Sequence, residues 1–477
     1  MTAPLAQPAA SDLTRLFERQ RAHAPHMART GVAERRERLR RLRRAITGRR
    51  EAIVTALHAD LCRPRIETEL TEIYCTLAEI DHALPRLARW MRPDRVRGPL
   101  LLFGTTGRLV HEPRGVALIM GPWNYPFALV VNPLVAAISA GNCVVLKPSE
   151  KAPATSRVIR DLVADAFDPA EVTVAEGGPD VARALLELPF DHICFTGSTH
   201  LGRVVMAAAA KHLATVTLEL GGKCPAVVDA SADTKAAAER IVLGKFMNAG
   251  QTCLAPDYVL VHEQVADALL AALGDTLARF YGGDEPARAA SPDFGRIVDA
   301  QHFLRLRTLF EEAVAAGARA VTGGRFDAAA RYVAPTILTG VRPGMAVMQE
   351  EIFGPLLPVL TYRSTDEAVA AIRAGDKPLA MYVFARDGRV TEALLRGTSA
   401  GATVVNNVGM HYFHHGLPFG GVGASGLGAY HGVYGFRAFS HARPVLRQYE
   451  PALVRFFFPP YRGRLHELAR RVLRLLE

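Results

Sequence analysis

The stretch "GVALIMGPWNYPFALVVNPLVAAISAGNCVVLKPSE" (residues 115–150) decides the fold of this 477-residue chain. It contains a short apolar run (116–120), then a helix-like apolar segment that ends at Gly141, then a second apolar run (143–146). Strand, helix and strand in this order predict parallel strands whose two faces are covered by helices. Ligands bind at the carboxyl ends of such strands, so we expect a functional site there.

The same alternation continues along the chain and predicts two α/β units. The first unit extends to about residue 222, and the second covers 235–405 and includes "YVLVH" (258–262). Two helices precede them, at 33–60 and 66–91, because apolar residues recur there at helical spacing. Residues 101–115 read as a projecting β-hairpin, since a Gly-containing turn separates two strand-like runs.

Composition and charge restrict the class of protein. The chain is 49% hydrophobic and 22% charged, with a net charge of +10 that is concentrated at its two ends. No motif for nucleic-acid recognition accompanies this charge, so we expect no nucleic-acid partner. Six cysteines without a C-x-x-C pair indicate a reducing compartment. No secretory signal or membrane-spanning run is visible, which predicts a cytoplasmic protein.

Two predicted strand ends carry groups suited to a dinucleotide. In "FTGSTHLG" (195–202), Gly197 and Ser198 come between a strand and a helix, and Gly202 lies in the first turn of that helix. Backbone N–H groups at a helix N-terminus bind phosphate. Lys147 and Glu150 follow another strand, where a ribose would lie. A G-x-G-x-x-G fingerprint is absent from the first strand–helix unit.

Cys253, in "GQTCLAP" (250–256), has two readings from the residues alone. Most unpaired cysteines are buried apolar side chains. A nucleophile would need a base, a group that stabilises an oxyanion and a second reactant elsewhere in the chain.

Seven motifs follow one another along the chain: "GPWNYPF" (121–127), "VVLKPSE" (144–150), "FTGS" (195–198), "LELGGK" (218–223), "GQTCLAPDY" (250–258), "EEIFGPLLPV" (350–359) and "LPFGGVGASGLGAYHG" (417–432). In this order they resemble the motifs of NAD(P)-dependent aldehyde dehydrogenases, over about residues 15–446. They look most like the class 3 branch, which includes fatty and aromatic aldehyde dehydrogenases.

The resemblance implies a mechanism. Cys253 would attack the aldehyde, Asn124 and the Cys253 N–H would stabilise the oxyanion, and Glu219 would activate the water that hydrolyses the thioester. Asn248 either positions the thiol or caps its loop. NAD is the expected cofactor, with NADP tolerated. The implied cofactor-binding residues are Lys147, Glu150, Gly197, Ser198, Gly202, Leu220, Glu351 and Phe353, with Glu350 the alternative to Glu351.

The resemblance also implies a domain plan and a homodimer. The expected parts are a dinucleotide-binding domain (1–100 and 115–220), a catalytic domain (221–415), oligomerisation elements (101–114 and 416–446) and a basic tail (447–477). We expect the hairpin at 101–114 to pair with a strand at 434–446 across the dimer interface.

Two further stretches carry open interpretations. The histidines of "HYFHH" (411–415) have no carboxylate beside them in the sequence, so we expect no metal and place this stretch at the substrate entrance. Residues 455–477 read as a basic amphipathic helix after three phenylalanines, which is typical of a peripheral membrane contact. Packing on the enzyme itself is the alternative. Either arrangement favours a medium- to long-chain aliphatic or an aromatic aldehyde. An acylating enzyme and a non-catalytic membrane-surface protein remain alternative functions.

Overall fold

The computed structural model describes residues 9–99, 102–450 and 452–476. The helices are α1 (Ala10–Ala28), α2 (Val32–Gly48), α3 (Arg50–Leu61), α4 (Arg65–Thr68), α5 (Cys75–Trp90), α6 (Ala128–Ala140), α7 (Pro153–Ala166), α8 (Pro179–Leu186), α9 (Thr199–Lys211), α10 (Thr234–Phe246), α11 (Ala266–Tyr281), α12 (Glu285–Ala290), α13 (Ala300–Ala315), α14 (Ala346–Gln349), α15 (Thr365–Arg373), α16 (Gly388–Gly397), α17 (Gly432–Ala438) and α18 (Arg464–Leu476). A π-helix (Glu69–Tyr74) joins α4 to α5, and 3₁₀ turns cover Met247–Gly250, Glu263–Val265, Met410–Phe413 and Leu453–Phe457.

The strands are β1 (Asp94–Val96), β2 (Thr105–Pro113), β3 (Val116–Met120), β4 (Cys143–Lys147), β5 (Val172–Val174), β6 (His192–Gly197), β7 (Thr215–Leu220), β8 (Pro225–Val228), β9 (Tyr258–His262), β10 (Arg319–Thr322), β11 (Phe326–Asp327), β12 (Tyr332–Val333), β13 (Thr336–Thr339), β14 (Leu356–Tyr362), β15 (Ala380–Phe384), β16 (Ala402–Val405), β17 (Gly426–Leu427) and β18 (Ser440–Gln448).

The first sheet has the order β17-β7-β6-β3-β4-β5, and all its neighbours are parallel except β17, which runs antiparallel to β7. Every residue of β3, β4 and α6 is buried, which explains the unbroken apolar runs of the opening stretch. Met120 lies opposite Lys147 on one side and Phe195 on the other. The loops that follow these strands therefore meet at one edge of the sheet.

The second sheet has the order β10-β13-β14-β9-β8-β15-β16, and only β10 runs antiparallel to its neighbour. Its apolar cluster draws on residues 224–430, whereas the main cluster around the first sheet draws chiefly on residues 13–220. Two parallel α/β units are thus present, and the predicted fold class is confirmed. The exact domain limits stay a prediction.

The small third sheet corrects the predicted hairpin. Residues 101–114 contain one strand, β2, which lies between β1 and β18 in an antiparallel sheet. Strand β18 pairs with β2 along nine residue pairs of the same chain. The predicted pairing of these two segments across a dimer is therefore wrong. Part of 434–446 is also helical, because α17 ends at Ala438 and the strand begins at Ser440.

The C-terminal tail is helical, as its periodicity predicts. Helix α18 packs on the turn Leu453–Phe457, and Ala469 is buried while Leu468 and Leu473 are exposed. Within the described parts of the chain, no helix is long and apolar enough to cross a membrane.

Candidate active site

A cavity lies between the carboxyl edge of the first sheet and the loops of the second unit. It contains the loops that follow β3, β6 and β7, together with segments near Cys253 and Glu351. Eight of the predicted site residues line it: Asn124, Gly197, Ser198, Glu219, Leu220, Cys253, Glu351 and Phe353. The fold therefore brings residues that are as much as 229 positions apart in the sequence (353 − 124) into one site.

The loop before Cys253 has an unusual backbone. Asn248 and Ala249 both have a φ of 53°, and Gly250 has a φ of 76°. A Cβ on Gly250 would lie 2.4 Å from the backbone of Gly354, so only glycine fits at this position. The conformation explains why glycine begins the "GQTC" motif, and it places the thiol in the cavity.

The buried side chain of Gln251 holds this loop in place through hydrogen bonds. Its side-chain amide donates to the carbonyl oxygens of Asn248 and Arg296, both at 3.0 Å, and it accepts a hydrogen bond from the N–H of Val298 at 2.9 Å. With every polar atom of a buried amide satisfied, the loop has one well-defined position. The backbone carbonyl of Cys253 is also held, since it accepts from the thiol of Cys224 at 3.3 Å.

The surroundings of Cys253 disfavour its thiolate. Burial and, after it, the nearby carboxyl groups of Glu351 and Glu219 together raise the pKa of the thiol to about 12. Hydrogen bonds from the backbone N–H groups of Cys253 and Leu254 oppose the shift. A thiolate therefore forms only when positive charge or a proton acceptor is brought to the sulfur.

Asn124 lines the same cavity as this thiol, and one N–H of its side-chain amide is available as a donor. Its Nδ2 donates one hydrogen bond to the carbonyl of Gln251 at 3.0 Å, and an amide nitrogen carries two hydrogens. The side chain is buried and lines the cavity. Together with the backbone N–H of Cys253, the second N–H of Asn124 forms a donor pair suited to an oxyanion.

A buried ion pair that the sequence reading missed supports Asn124. Arg63 pairs with Glu72, both fully buried, and Arg63 also donates to the backbone carbonyl of Asn124. The other oxygen of Glu72 accepts from the N–H groups of Phe127 and Ala128, at 3.2 and 2.7 Å, where α6 begins. The pair therefore fixes the "PWNYPF" turn. Neither residue lies in a motif, so only the fold reveals it.

Asn248 connects the two loops. Its Nδ2 donates to the carbonyl oxygens of Asn124 (3.0 Å) and Gln251 (3.1 Å), and its Oδ1 accepts from Arg63 at 3.2 Å. Of the two roles considered from the sequence, this network favours positioning of the thiol loop.

Glu219 is a buried carboxyl group, and within the described ranges of the chain neither of its oxygens has a hydrogen-bond partner. It lies near the end of β7, opposite Thr196, and lines the cavity with Cys253. Burial raises its pKa well above the ordinary value. A carboxylate with a raised pKa accepts a proton near neutral pH, which is the property that a general base needs.

The residues opposite Glu219 fit a dinucleotide. Ser198 is the N-cap of α9, and its hydroxyl accepts from the N–H of Leu201. Gly197 and Ser198 line the cavity at that helix N-terminus, where pyrophosphate binds well. Trp123 and Phe353 meet edge to face with ring centroids 5.4 Å apart, and they form an aromatic wall suitable for a nicotinamide ring.

Glu351, rather than Glu350, faces this cavity. Glu351 is half-buried and lines the cavity, and burial of its carboxyl group raises its pKa to about 8. Glu350 instead forms an ion pair with Arg305 at 2.8 Å. Arg305 also donates to the carbonyl of Glu351 at 3.2 Å, so it holds this loop against the site. Arg305 is part of α13, and its sequence gives no signal for this role.

Three predicted cofactor residues lie outside the cavity lining. Lys147 is buried at the end of β4, where its Nζ donates to the carbonyl of Pro148 at 2.8 Å and lies 3.5 Å from half-exposed Glu150. Burial lowers the pKa of Lys147. A Cβ on Gly202 would lie 2.6 Å from the side chain of Leu220, so this glycine provides room for Leu220. Contacts of these three with a cofactor stay a prediction.

A second cavity reaches Cys253 from the other side. Its walls are almost entirely apolar, and Leu129, Cys253 and Phe419 line both cavities. Met410, Tyr412 and Phe413 of the "HYFHH" region line it, whereas His414 is exposed and His415 lies elsewhere. The apolar remainder of this wall is Leu70, Tyr125, Leu243, Met247, Leu254 and Val408, and its polar residues are Thr71, Arg240, Thr252 and Asn407.

Comparisons with known proteins agree with this geometry. The sequence model of the Aldehyde dehydrogenase family matches residues 2–445. The chain is 45% identical to 4,4'-diaponeurosporen-aldehyde dehydrogenase of Staphylococcus aureus, over 91% of this chain and 93% of that protein. It is 43% identical to aldehyde dehydrogenase family 3 member A2 of Rattus norvegicus, over 86% of this chain and 83% of that protein.

Solved structures give the same result. The substrate-bound state of Staphylococcus aureus AldH superimposes with a TM-score of 0.92 at 42% identity and covers 96% of this chain and 99% of that one. An indole-3-acetaldehyde dehydrogenase in complex with NAD+ has a TM-score of 0.85 at 28% identity, with coverage of 94% and 90%. The chain therefore belongs to the aldehyde dehydrogenase family, and it is an NAD(P)-dependent aldehyde dehydrogenase.

Proposed function

We propose that this enzyme oxidises apolar aldehydes, medium- to long-chain aliphatic or aromatic, to the carboxylic acid, with NAD+ preferred as the acceptor. One observation carries the proposal: Cys253 lies where an apolar cavity meets a cavity that holds Glu219, Gly197, Ser198 and Phe353. An aldehyde group entering through the apolar cavity would reach the sulfur from one side. The cofactor and the base would act on it from the other.

The residues support acyl transfer through sulfur. Once its proton has passed to water, the Cys253 sulfur adds to the carbonyl carbon, and Asn124 Nδ2 and the Cys253 N–H receive the negative charge that develops on the oxygen. A nicotinamide cofactor held by Gly197, Ser198, Glu351 and Phe353 would supply the hydride acceptor for this carbon, and its positive charge would favour loss of the thiol proton. A thioester on Cys253 remains.

Glu219 completes the reaction in this proposal. Its carboxylate takes a proton from water, the water oxygen bonds to the thioester carbon, and the carbon–sulfur bond breaks to release the acid. Neither carboxyl oxygen has a partner in the part of the chain that the structure describes, so either is available to water. An acylating enzyme would transfer the acyl group to coenzyme A without need of this base.

The preference for NAD+ rests on Glu150 and Lys147. A carboxylate at the adenosine ribose accepts from a hydroxyl and repels a 2′-phosphate. Lys147 moderates this repulsion, because its Nζ lies 3.5 Å from Glu150. We expect Glu150→Gln to raise kcat/KM for NADP+ relative to that for NAD+. A wild-type enzyme that favours NADP+ would contradict the placement of Glu150.

A homodimer and a peripheral membrane contact belong to the same proposal. Strand β18 is a nine-residue edge strand, largely exposed, and such an edge favours pairing with a second chain. Phe458, Tyr461, Leu468 and Leu473 form exposed apolar surface next to the arginines of the tail. Light scattering tests the dimer. Co-sedimentation with anionic vesicles, before and after truncation at Glu450, tests the membrane contact, and a full-length chain that ignores vesicles at low salt contradicts it.

The deciding experiment for the reaction is an aldehyde panel with NAD+, followed by NADH absorbance and acid analysis, with and without coenzyme A. We expect free acid in both cases and higher kcat/KM for longer apolar aldehydes than for acetaldehyde. Formation of an acyl-coenzyme A product would favour the acylating alternative. Absence of any NADH with all aldehydes would contradict the proposal.

A further inference from the structure

A group of histidines and one carboxylate lies behind the wall of the apolar cavity. Glu79 and His82 are one turn apart on α5, His415 follows the 3₁₀ turn Met410–Phe413, and His431 directly precedes α17. These elements are far apart in the sequence, so the sequence alone does not show that the four side chains meet. Glu79 and His431 are buried, and His415 is mostly buried.

The three side chains converge on one point. One ligand atom each from Glu79, His415 and His431 lies within 4.8 Å of the other two. His415 Nδ1 is 2.7 Å from Glu79 Oε2, yet without the geometry of a hydrogen bond. The other oxygen of Glu79 is engaged, since it accepts from the N–H of Gly432 at 2.7 Å. The carboxylate is thereby oriented with Oε2 toward the histidines.

His431 provides an independent observation. It is only 1% exposed, and neither ring nitrogen has a hydrogen-bond partner among the residues that the structure describes. Its neighbours are the rings of Phe419, Tyr412 and Tyr430, which supply packing but no acceptor for an imidazole N–H. A buried polar group left without a partner destabilises the fold.

We propose that Glu79, His415 and His431 bind a divalent transition metal of the zinc type. Imidazole and carboxylate are the ligands zinc takes, and three protein ligands leave one position for water or for His82. The spacing of Glu79 and His82, three residues apart on a helix, is also that of helix-borne metal ligands. His82 is close enough to join, because its ring centroid is 5.4 Å from that of His415.

The fit needs only a small adjustment. Donor atoms around tetrahedral zinc are about 3.3 Å apart, given bonds of about 2.0–2.1 Å. Because the present separations are at most 4.8 Å, no pair of donors has to close by more than about 1.5 Å, whereas His415 Nδ1 and Glu79 Oε2, now 2.7 Å apart, have to separate by about 0.6 Å. His415 follows a short turn, and His82 and exposed His414 lie at the surface side of the group.

Such a metal would brace the substrate cavity. His431 stacks on Phe419 with ring centroids 5.3 Å apart, and Phe419 lines both cavities. Tyr412, which lines the apolar cavity, contacts His431 and also accepts from Asn132 at 2.9 Å. The metal would tie α5 to this wall. We expect it to affect thermal stability and KM for long aldehydes more than the chemical step.

The test uses the full-length protein without a histidine tag, stripped of metal with a chelator and titrated with Zn²⁺ and, for its visible absorption, Co²⁺. We expect one ion per chain at this site. His415→Asn and Glu79→Gln should each weaken binding by about 100-fold or more, since loss of outer partners alone costs about 10–100-fold. His414→Asn is the matched control, because this neighbour is exposed, and it should bind as the wild type does.

Two controls keep the result decisive. Cys253 is itself a zinc ligand type, so Cys253→Ala is titrated in parallel and should retain the ion. His431→Gln risks misfolding among its aromatic neighbours, so the two variants above carry the test, each after circular dichroism confirms a native fold. Unchanged affinity in both variants, loss of the ion in Cys253→Ala, or absence of binding to the wild type overturns the proposal and leaves a carboxylate–histidine contact only.

Discussion

The apolar cavity makes a quantitative prediction about substrate length. Burial of one CH₂ group contributes about 0.8 kcal/mol, and about 1.36 kcal/mol corresponds to a factor of ten in rate. Each methylene that enters the cavity should therefore raise kcat/KM by about fourfold. For a series of straight-chain aldehydes, kcat/KM is measured from initial NADH formation below KM. It should rise by this factor with each methylene and level off once the chain reaches the cavity mouth.

A charged substitution at the mouth of the apolar cavity tests the same assignment. Leu243, on α10, lines the cavity and has 55% of its surface exposed, so it is part of the rim. Leu243→Glu should leave kcat/KM for short aldehydes unchanged. For chains long enough to contact the new carboxylate and its bound water, kcat/KM should no longer rise with chain length. Leu395→Glu is the matched control, because Leu395 on α16 is 44% exposed and lies outside the cavity. A flat series in the wild type, or equal slopes in both variants, would refute the assignment of this cavity.

Three further predictions concern the site itself. Asn124→Ala should lower kcat by about 10²–10³ while NAD+ binding, measured by calorimetry, stays close to that of the wild type, because one oxyanion donor is lost. Arg63→Ala should reduce the free energy of unfolding by about 3–5 kcal/mol in urea titrations, since it leaves buried Glu72 unpaired, whereas Arg65→Ala at an exposed ion pair should change it little. Hydrolysis of the thioester should speed up as pH rises through the raised pKa of Glu219. Stability should fall as pH rises from the ordinary pKa of a glutamate to this raised pKa and then level off, because ionisation of this buried carboxyl group disfavours the folded state. Pre-steady-state rates and melting curves that are flat with pH would contradict both effects.

Motifs were sufficient to predict the parts of the site that depend on one local segment. The strand-to-loop order around "GPWNYPF" and the glycine before Cys253 led to the two units and to a cavity lined by Cys253, Glu219 and Asn124. Each of these depends on local backbone geometry, such as the φ of 76° at Gly250, which a short sequence encodes.

Long-range side-chain pairs could not be predicted. Arg63 and Glu72 meet only because α5 and its preceding π-helix pack against the start of α6. The residues of β2 and β18 are 327 or more positions apart where they pair, from Pro113 to Ser440 (440 − 113), and alternation alone does not tell whether the partner belongs to the same chain. Glu79 likewise reaches His415 only through the fold, although the sequence shows no carboxylate beside "HYFHH".

The most direct test of the reaction is the state of Cys253 after one turnover of Glu219→Gln. The variant is mixed with an apolar aldehyde and NAD+, quenched within the first turnover, and the peptide that contains Cys253 is weighed by mass spectrometry. We predict a burst of NADH close to one equivalent per site, slow turnover afterwards, and an acyl group on Cys253 that Cys253→Ala lacks. If the burst and the adduct are both absent, or the acyl group is on another residue, then the assignment of Cys253 as nucleophile and Glu219 as the hydrolytic base is wrong.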